Sequence, residues 1–268
     1  MIKQKDNIIW FKLNGFLRYA LAHTLSGVLP LYIVNEYPKS GGSWIGDMLS
    51  DLLEIPFPRN RLPYLKSCIL HGHMMHSWNM NNVLIVWRDG RDVLVSQYYH
   101  SLFRSDRGNA RLVRECRSDL GFTDYEDITK NLPAFMKYVY EDKKHPKNSW
   151  LDFGKRWAGN SNYIHVKYED IRVDPANELY RVATELTGRD ISFEKVTSVV
   201  KKHSFFNQSG RKPGEENTRS FLRKGIVGDW KNHFNQEARE KFNNYAGEQL
   251  IKLRYEIDDS WVTVKGVK

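Results

Sequence analysis

The chain has 268 residues, 41% of them hydrophobic, with eight Trp and only two Cys, Cys68 and Cys116. That is enough apolar material for one large α/β domain or two small ones. It is too little cysteine for a disulfide-stapled secreted scaffold, so both thiols are expected unpaired in a reducing compartment. A formal charge of +9 draws anions, and the lack of RGG, zinc-finger or RNA-binding aromatic signatures turns the expectation from nucleic acid toward a compact anionic ligand.

The first residues are polar, and Lys12 and Arg18 interrupt the apolar residues over 8–21, which does not make a secretory signal. Residues 19–35 carry no Asp, Glu, Lys or Arg, yet they include Gly27 and Pro30 and are short for a bilayer span. A soluble, cytoplasmic protein without stable membrane insertion is therefore expected.

Strand-like runs then alternate with helical patterns, the signature of an α/β protein with a parallel sheet. Residues 31–34 read as a buried strand, and Trp44, Ile45, Met48, Leu49, Leu52 and Leu53 share one face of the helix that follows. Residues 67–70 form a short strand candidate. Residues 83–86, Val-Leu-Ile-Val, are continuously apolar, as a strand covered on both faces should be, and a helix over 92–102 follows. The charged, irregular stretch 104–127 predicts a surface excursion. Leu132, Phe135, Met136 and Val139 mark an amphipathic helix, and Trp150, Phe153 and Trp157 another. A strand over 163–166 precedes a helix over 175–187, with Gly188 placed as its left-handed cap. Two further helices carry Phe193, Val196, Val199 and Val200, and Phe242, Tyr245, Gln249 and Leu253. Between them, 207–219 is rich in Gly, Asn, Arg and Glu and predicts a mobile loop or lid. No repeat or low-complexity linker divides the chain, so 1–268 reads as one domain with its core over about 31–255.

Three segments carry phosphate-binding chemistry. Tyr37-Pro38-Lys39-Ser40-Gly41-Gly42-Ser43-Trp44 lies between a buried strand and a helix. There, backbone N–H groups and the helix dipole favour an anion, two glycines allow close approach, and Lys39 adds positive charge. It is not a Walker A loop, because Lys39 precedes the glycines and no Gly-Lys-Ser/Thr closes it. By itself such a turn is more often structural. Arg88 ends the next clear strand and Ser96 lies about two turns into the following helix, where a guanidinium and a hydroxyl suit one phosphate. The competing reading is an Arg–Asp network at the helix start, a role expected of Arg91 and Asp92. In Phe221-Leu222-Arg223-Lys224-Gly225, paired cations before a glycine suit a loop folding over a phosphate, although basic pairs usually sit in solvent.

Together these segments closely resemble the sulfotransferases that use 3′-phosphoadenosine-5′-phosphosulfate (PAPS), especially the cytosolic branch. That family's 5′-phosphosulfate loop, Tyr-Pro-Lys-Ser-Gly-Thr-Thr-Trp, is matched by residues 37–44, its strand-ending Arg and helical Ser by Arg88 and Ser96, its Arg-Lys-Gly segment by residues 223–231, and its Tyr-Glu-Asp by residues 168–170. The resemblance runs in order over about 31–242. It implies a single α/β domain with a central parallel sheet flanked by helices, akin to the P-loop nucleotide kinases.

Carried over, it implies that Lys39, Ser40, Gly41, Gly42 and Ser43 hold the 5′-phosphosulfate and that Arg88, Ser96, Arg223, Lys224 and Gly225 hold the 3′-phosphate. Trp44 and Phe205 would flank the adenine, with Tyr168 at its edge. The family's base is the His of Lys-Thr-His. Here Leu70-His71-Gly72-His73 occupies that place, so His73 matches the base and His71 stands for the Lys. The implied reaction is sulfonyl transfer from PAPS to a hydroxyl or amine of a small-molecule acceptor, a natural-product tailoring step among the options. His73 and Lys39 would be catalytic, 3′,5′-ADP would leave, and no metal would be needed.

Three alternatives stand beside it: a small-molecule or nucleotide kinase on a related fold, a non-catalytic module that binds a nucleotide or polyanion, and a metal site at His71, His73 and His76. The residues after Lys231 depart from the family's dimer motif, so a monomer or weak homodimer is expected, with no nucleic-acid partner.

Overall fold

Five apolar residues in a row, Val83–Trp87, form a strand that is buried along its whole length. Such a run needs cover on both faces, which a parallel sheet provides. The computed structural model describes residues 8–59, 61–76, 78–106 and 108–263, and shows a four-stranded parallel sheet of order β2-β1-β3-β4. Its strands are β1 (Leu31–Glu36), β2 (Cys68–Gly72), β3 (Val83–Trp87) and β4 (Ile164–Lys167). The polar first residues, Asn60 and Arg107 lie outside the described residues.

The helices in chain order are α1 (Ile8–Thr24), α2 (Gly42–Leu53), α3 (Gly90–Leu102), α4 (Ala110–Leu120), α5 (Ile128–Lys137) and α6 (Trp150–Trp157). They continue as α7 (Tyr168–Val173), α8 (Pro175–Thr187), α9 (Phe193–Lys202), α10 (Phe205–Ser209) and α11 (Gln236–Lys252). Gly188 caps α8 at φ 65°, as its position predicts.

Contacts divide the chain into two units, Met1–Arg88 with Asn160–Lys212 and Asp89–Gly159 with Pro213–Lys268. The first holds the whole sheet. Its core is aliphatic, with Val34, Leu84 and Val86 from the strands packed with Ile45, Met48, Leu49 and Leu52 of α2 and Leu179, Val182 and Leu186 of α8. The second is helical and its core is aromatic: Tyr98 and Phe135 meet at 5.2 Å, and Trp150 and Phe242 at 6.4 Å. Arg91, 2% exposed, lies 3.9 Å from the Trp230 ring and 4.5 Å from that of Trp261, and pairs with Asp89 and Glu256. Asp92 accepts from the N–H groups of Gly228 and Trp230. Arg91 and Asp92 are structural as expected, but not as a surface network: both are buried, Asp89 caps α3, and Asp92 holds the backbone of the segment around Gly228.

Two expectations need correction, and one segment carried no structural expectation. Residues 104–127 contain α4, whose buried stripe is only Val113 and Cys116; an 11-residue helix with so thin an apolar face reads as charged loop. Residues 8–24 form α1, where Arg18, which had counted as an interruption, is 8% exposed and donates to the carbonyls of Asn14 and His71. The stretch 207–219 begins inside α10, and in the second unit Gly214 N–H and Asn217 N–H bond the carbonyls of Lys224 and Arg223. Both cysteines are buried and outside any disulfide, and burial raises their pKa values. Among the described residues, no helix is long and apolar enough to cross a membrane.

Candidate active site

The chain leaves β1 at Glu36, turns through residues 37–41 and enters α2 at Gly42. Lys39 sits at φ 78° and Gly41 at φ 101°. The left-handed conformation costs a residue with a Cβ about 1–2 kcal/mol, so Lys39 holds a conformation the fold imposes. Gly41 could not be replaced cheaply, since a Cβ there would lie 2.7 Å from Tyr168 Cδ2. Gly41, the residue before α2, has no side chain to cap it. The Glu36 carboxylate takes the Gly42 N–H, and the Gly41 carbonyl takes those of Trp44 and Ile45, which leaves the Ser43 N–H toward the turn with the dipole of this 12-residue helix behind it. Ser40 is fully buried, and its hydroxyl makes no hydrogen bond among the described residues. A buried hydroxyl in that state fits an anion-binding turn better than a purely structural one.

Other predicted residues gather here, all in the first unit. Arg88, at the end of β3, donates to the Lys39 carbonyl at 3.3 Å and lies 4.5 Å from the Tyr168 ring centre. Tyr168 opens α7 and meets Trp44 edge-on at 5.8 Å. The Trp44 indole N–H bonds the carbonyl of His203, two residues before Phe205, at 2.8 Å. Phe205 is buried at the start of α10 beneath Arg211.

The histidines are organised by a residue that the sequence reading passed over. Glu36, 4% exposed, accepts from Gly42 N–H at 2.6 Å with one carboxylate oxygen and from His71 Nε2 at 2.9 Å with the other. Its backbone carbonyl is 2.8 Å from His73 Nδ1. A carbonyl only accepts, so His73 carries its proton on Nδ1 and, when neutral, presents a lone pair at Nε2. Burial alone would raise the Glu36 carboxyl, but the hydrogen bond and charge of His71, with His73 and Gly42 N–H, hold it below the usual range. Desolvation, then the charge of His71, lowers the His73 pKa to about 4. His73 is an exposed residue, so water offsets part of that desolvation, and the ring is neutral at physiological pH.

The three side chains each bring one ligand-type atom within 4.8 Å of the others. Glu36 is thus the carboxylate absent from the sequence-level metal reading, while His76 is exposed and outside the group. Both carboxylate oxygens already take hydrogen bonds. The one signal available in the sequence was an acid, next to Asn35, ending a strand that begins as an apolar run.

The remaining predicted residues belong to the second unit. Ser96 is half-buried on α3. Arg223 pairs with Glu216 and Asp229 and lies 4.4 Å from the Tyr99 ring centre, and Lys224 reaches Asp229 at 2.6 Å. Gly225 is left-handed at φ 65°. Burial would raise the Asp229 carboxyl, but His233, Lys224 and Arg223 hold it far below the usual range.

A sulfotransferase domain profile matches residues 69–254. The chain belongs to the sulfotransferase family. Mouse sulfotransferase 1E1 is 26% identical over 278 residues, covering 84% of this chain and 86% of the relative. Rabbit amine sulfotransferase is 26% identical over 260 residues, covering 84% of each. Among solved structures, a mouse sulfotransferase complexed with PAP (the PAPS product 3′,5′-ADP) superposes with a TM-score of 0.63 at 15% identity, over 89% of this chain and 91% of that one. A retinol dehydratase with retinol and PAP gives 0.52 at 15% identity, over 87% and 85%. At such identity these structures support the α/β sulfotransferase fold with its central parallel sheet.

Proposed function

We propose that this sulfotransferase takes its sulfonyl group from PAPS and passes it to a hydroxyl or amine of a small-molecule acceptor. The carrying observation is the turn after β1, where the buried Ser40 hydroxyl and the N-terminus of α2 are joined through Glu36 to a histidine with an available Nε2. PAP in the two neighbouring structures supports this choice of donor.

The residues fit PAPS. Lys39, Ser40, Gly41 and Ser43 would hold the 5′-phosphosulfate, with Gly42 in the same turn, and Trp44, Tyr168 and Phe205 the adenine. For the 3′-phosphate the resemblance offers Arg88, Ser96, Arg223, Lys224 and Gly225 as candidates. PAPS supplies an activated sulfonyl group whose leaving group is 3′,5′-ADP. His73 Nε2 takes the acceptor's proton as its oxygen or nitrogen bonds to sulfur and the bridging S–O bond breaks. Lys39 and the Ser43 N–H at the start of α2 stabilise the charge left on the bridging oxygen. His71 is the weaker candidate for the base, because its Nε2 already donates to Glu36 and its ring is buried.

This chemistry needs no metal. The whole of 1–268 acts as a single-domain cytoplasmic enzyme, monomeric or weakly dimeric, with acceptor choice set by residues 56–66, 104–127 and 207–219. A kinase is disfavoured because no Gly-Lys-Ser/Thr loop is present. Turnover would separate the enzyme from a module that only binds.

The test is an acceptor library with PAPS, read by mass spectrometry for products heavier by one sulfonate. His73→Ala should lower turnover about 10²–10⁴-fold while 3′,5′-ADP still binds. Near-normal turnover in His73→Ala, with an inactive His71→Ala, would move the base to His71.

A further inference from the structure

The patterns that this chain resembles have Thr in the loop at the position of Gly42, and Lys in the Lys-Thr-His motif at that of His71. The structure links the two departures through one side chain. The Glu36 carboxylate, buried at the end of β1, bonds Gly42 N–H at 2.6 Å on one side and His71 Nε2 at 2.9 Å on the other. A Cβ at residue 42 would lie 2.7 Å from Glu36 Cδ and 3.0 Å from Cγ and Oε1. A threonine therefore does not fit while Glu36 keeps its place. Gly42 is glycine here because a carboxylate approaches the backbone, rather than because its φ demands it; unlike Gly41, it is not among the left-handed residues.

The geometry points to Glu36 as a positioning residue for sulfonyl transfer, one that fixes the anion-binding turn and His71 relative to each other. Its carboxylate is an internal anion at the N-terminus of α2 that takes the N–H of Gly42. The bound donor must then be held by the other groups of the turn, Ser40 Oγ among them. Arg18 of α1 donates to the His71 carbonyl at 3.1 Å and the Phe57 ring meets the imidazole edge-on at 5.9 Å, so His71 is held from behind. With the imidazole so restrained, a shift of the turn on anion binding has a direct route to His71. The inference rests on the reading of this turn as the donor site.

The test combines a variant cycle with a spectroscopic one. Gly42→Ala should weaken 3′,5′-ADP binding about tenfold or more and lower the melting temperature. Glu36→Ala should weaken binding only a few-fold, and Glu36→Ala/Gly42→Ala should recover most of the Gly42→Ala loss. Contacting residues couple in this way, and independent ones multiply. In wild type, adding 3′,5′-ADP should move the His71 imidazole nitrogen resonances, and in Glu36→Gln, which keeps shape and fold, that response should vanish while binding persists. A purely structural role would leave it intact. Fold-changes that simply multiply, or an unchanged His71 response in Glu36→Gln, would overturn the inference. If wild type fails to bind 3′,5′-ADP at all, the donor assignment falls instead, and the coupling is still read from ligand-free melting of the same four proteins.

Discussion

The turn at residues 37–44 and the segment at residues 221–231 both combine cations with glycine, and in sequence both look like phosphate loops. Folded, they differ in what their polar groups already do. The turn offers a buried hydroxyl without a hydrogen-bond partner among the described residues, at the N-terminus of α2, where Glu36 already takes the Gly42 N–H. In the second segment, Arg223 and Lys224 converge on Asp229, which is 1% exposed and also faces Asn232 and His233. In the first place an internal carboxylate, Glu36, takes one N–H and leaves the Ser40 hydroxyl unbonded, whereas in the second both cations already meet Asp229. A basic motif is thus an anion site only so far as its own fold leaves the charge uncompensated.

The largest effect expected from this contrast is on stability. Asp229→Asn removes the carboxylate that Lys224 and Arg223 share, leaving Arg223 only Glu216, and should cost about 3–5 kcal/mol, read by urea unfolding. A change below about 1 kcal/mol would show that the second segment is not internally balanced and would break the contrast. Next comes Arg88→Ala, which should weaken 3′,5′-ADP binding by roughly 1.5–3 kcal/mol, the worth of a charge-assisted contact, with only a small drop in ligand-free melting temperature. Aggregation with normal affinity in the soluble fraction would make Arg88 structural.

An effect of similar size concerns the 3′-phosphate. At about 100 times its dissociation constant, 3′,5′-ADP should stabilise the fold by roughly 2.7 kcal/mol, and ADP at the same concentration by clearly less. Equal melting shifts would remove the basis for a separate 3′-phosphate site.

The smallest effect is proton linkage at His73. Its folded pKa is depressed, so the unfolded chain binds the proton more readily. The stabilising contribution is therefore complete above the ordinary value near 6.5 and is lost as pH falls toward about 4. Melting temperature should drop more steeply over that window in wild type than in His73→Gln, and the His73 ring should titrate below 6.5 by NMR. A midpoint at or above that value would show that the exposure of His73 governs it.

Most of the sheet was legible before any coordinates. Val83-Leu84-Ile85-Val86 and Leu31-Tyr32-Ile33-Val34 are apolar in continuous runs, which only a strand buried on both faces explains. α2, α8, α9 and α11 were legible because their apolar residues recur at helical spacing. α4 was not, since two buried residues in eleven give no periodic signal. Nor was α1, because a buried Arg18 bonded to carbonyls looks in sequence like a break in an apolar run. The turn at 37–44 was readable as an anion site because its chemistry lies within eight consecutive residues.

What the sequence by itself determined are the things set by neighbours along the chain: strand and helix types, the turn after β1, and the order of the motifs. Tertiary structure decided which charges meet. Glu36 lies 35 residues from His71, and they touch because β1 pairs β2 in a register that sets Val34 against His71 and Asn35 against Gly72. No local pattern announces such a pair, because a charge in sequence carries no record of its partner. Burial supplies the reason that it must have one: an ionised carboxylate removed from water is tolerated only where donors converge on it, and that convergence is a property of the folded sheet.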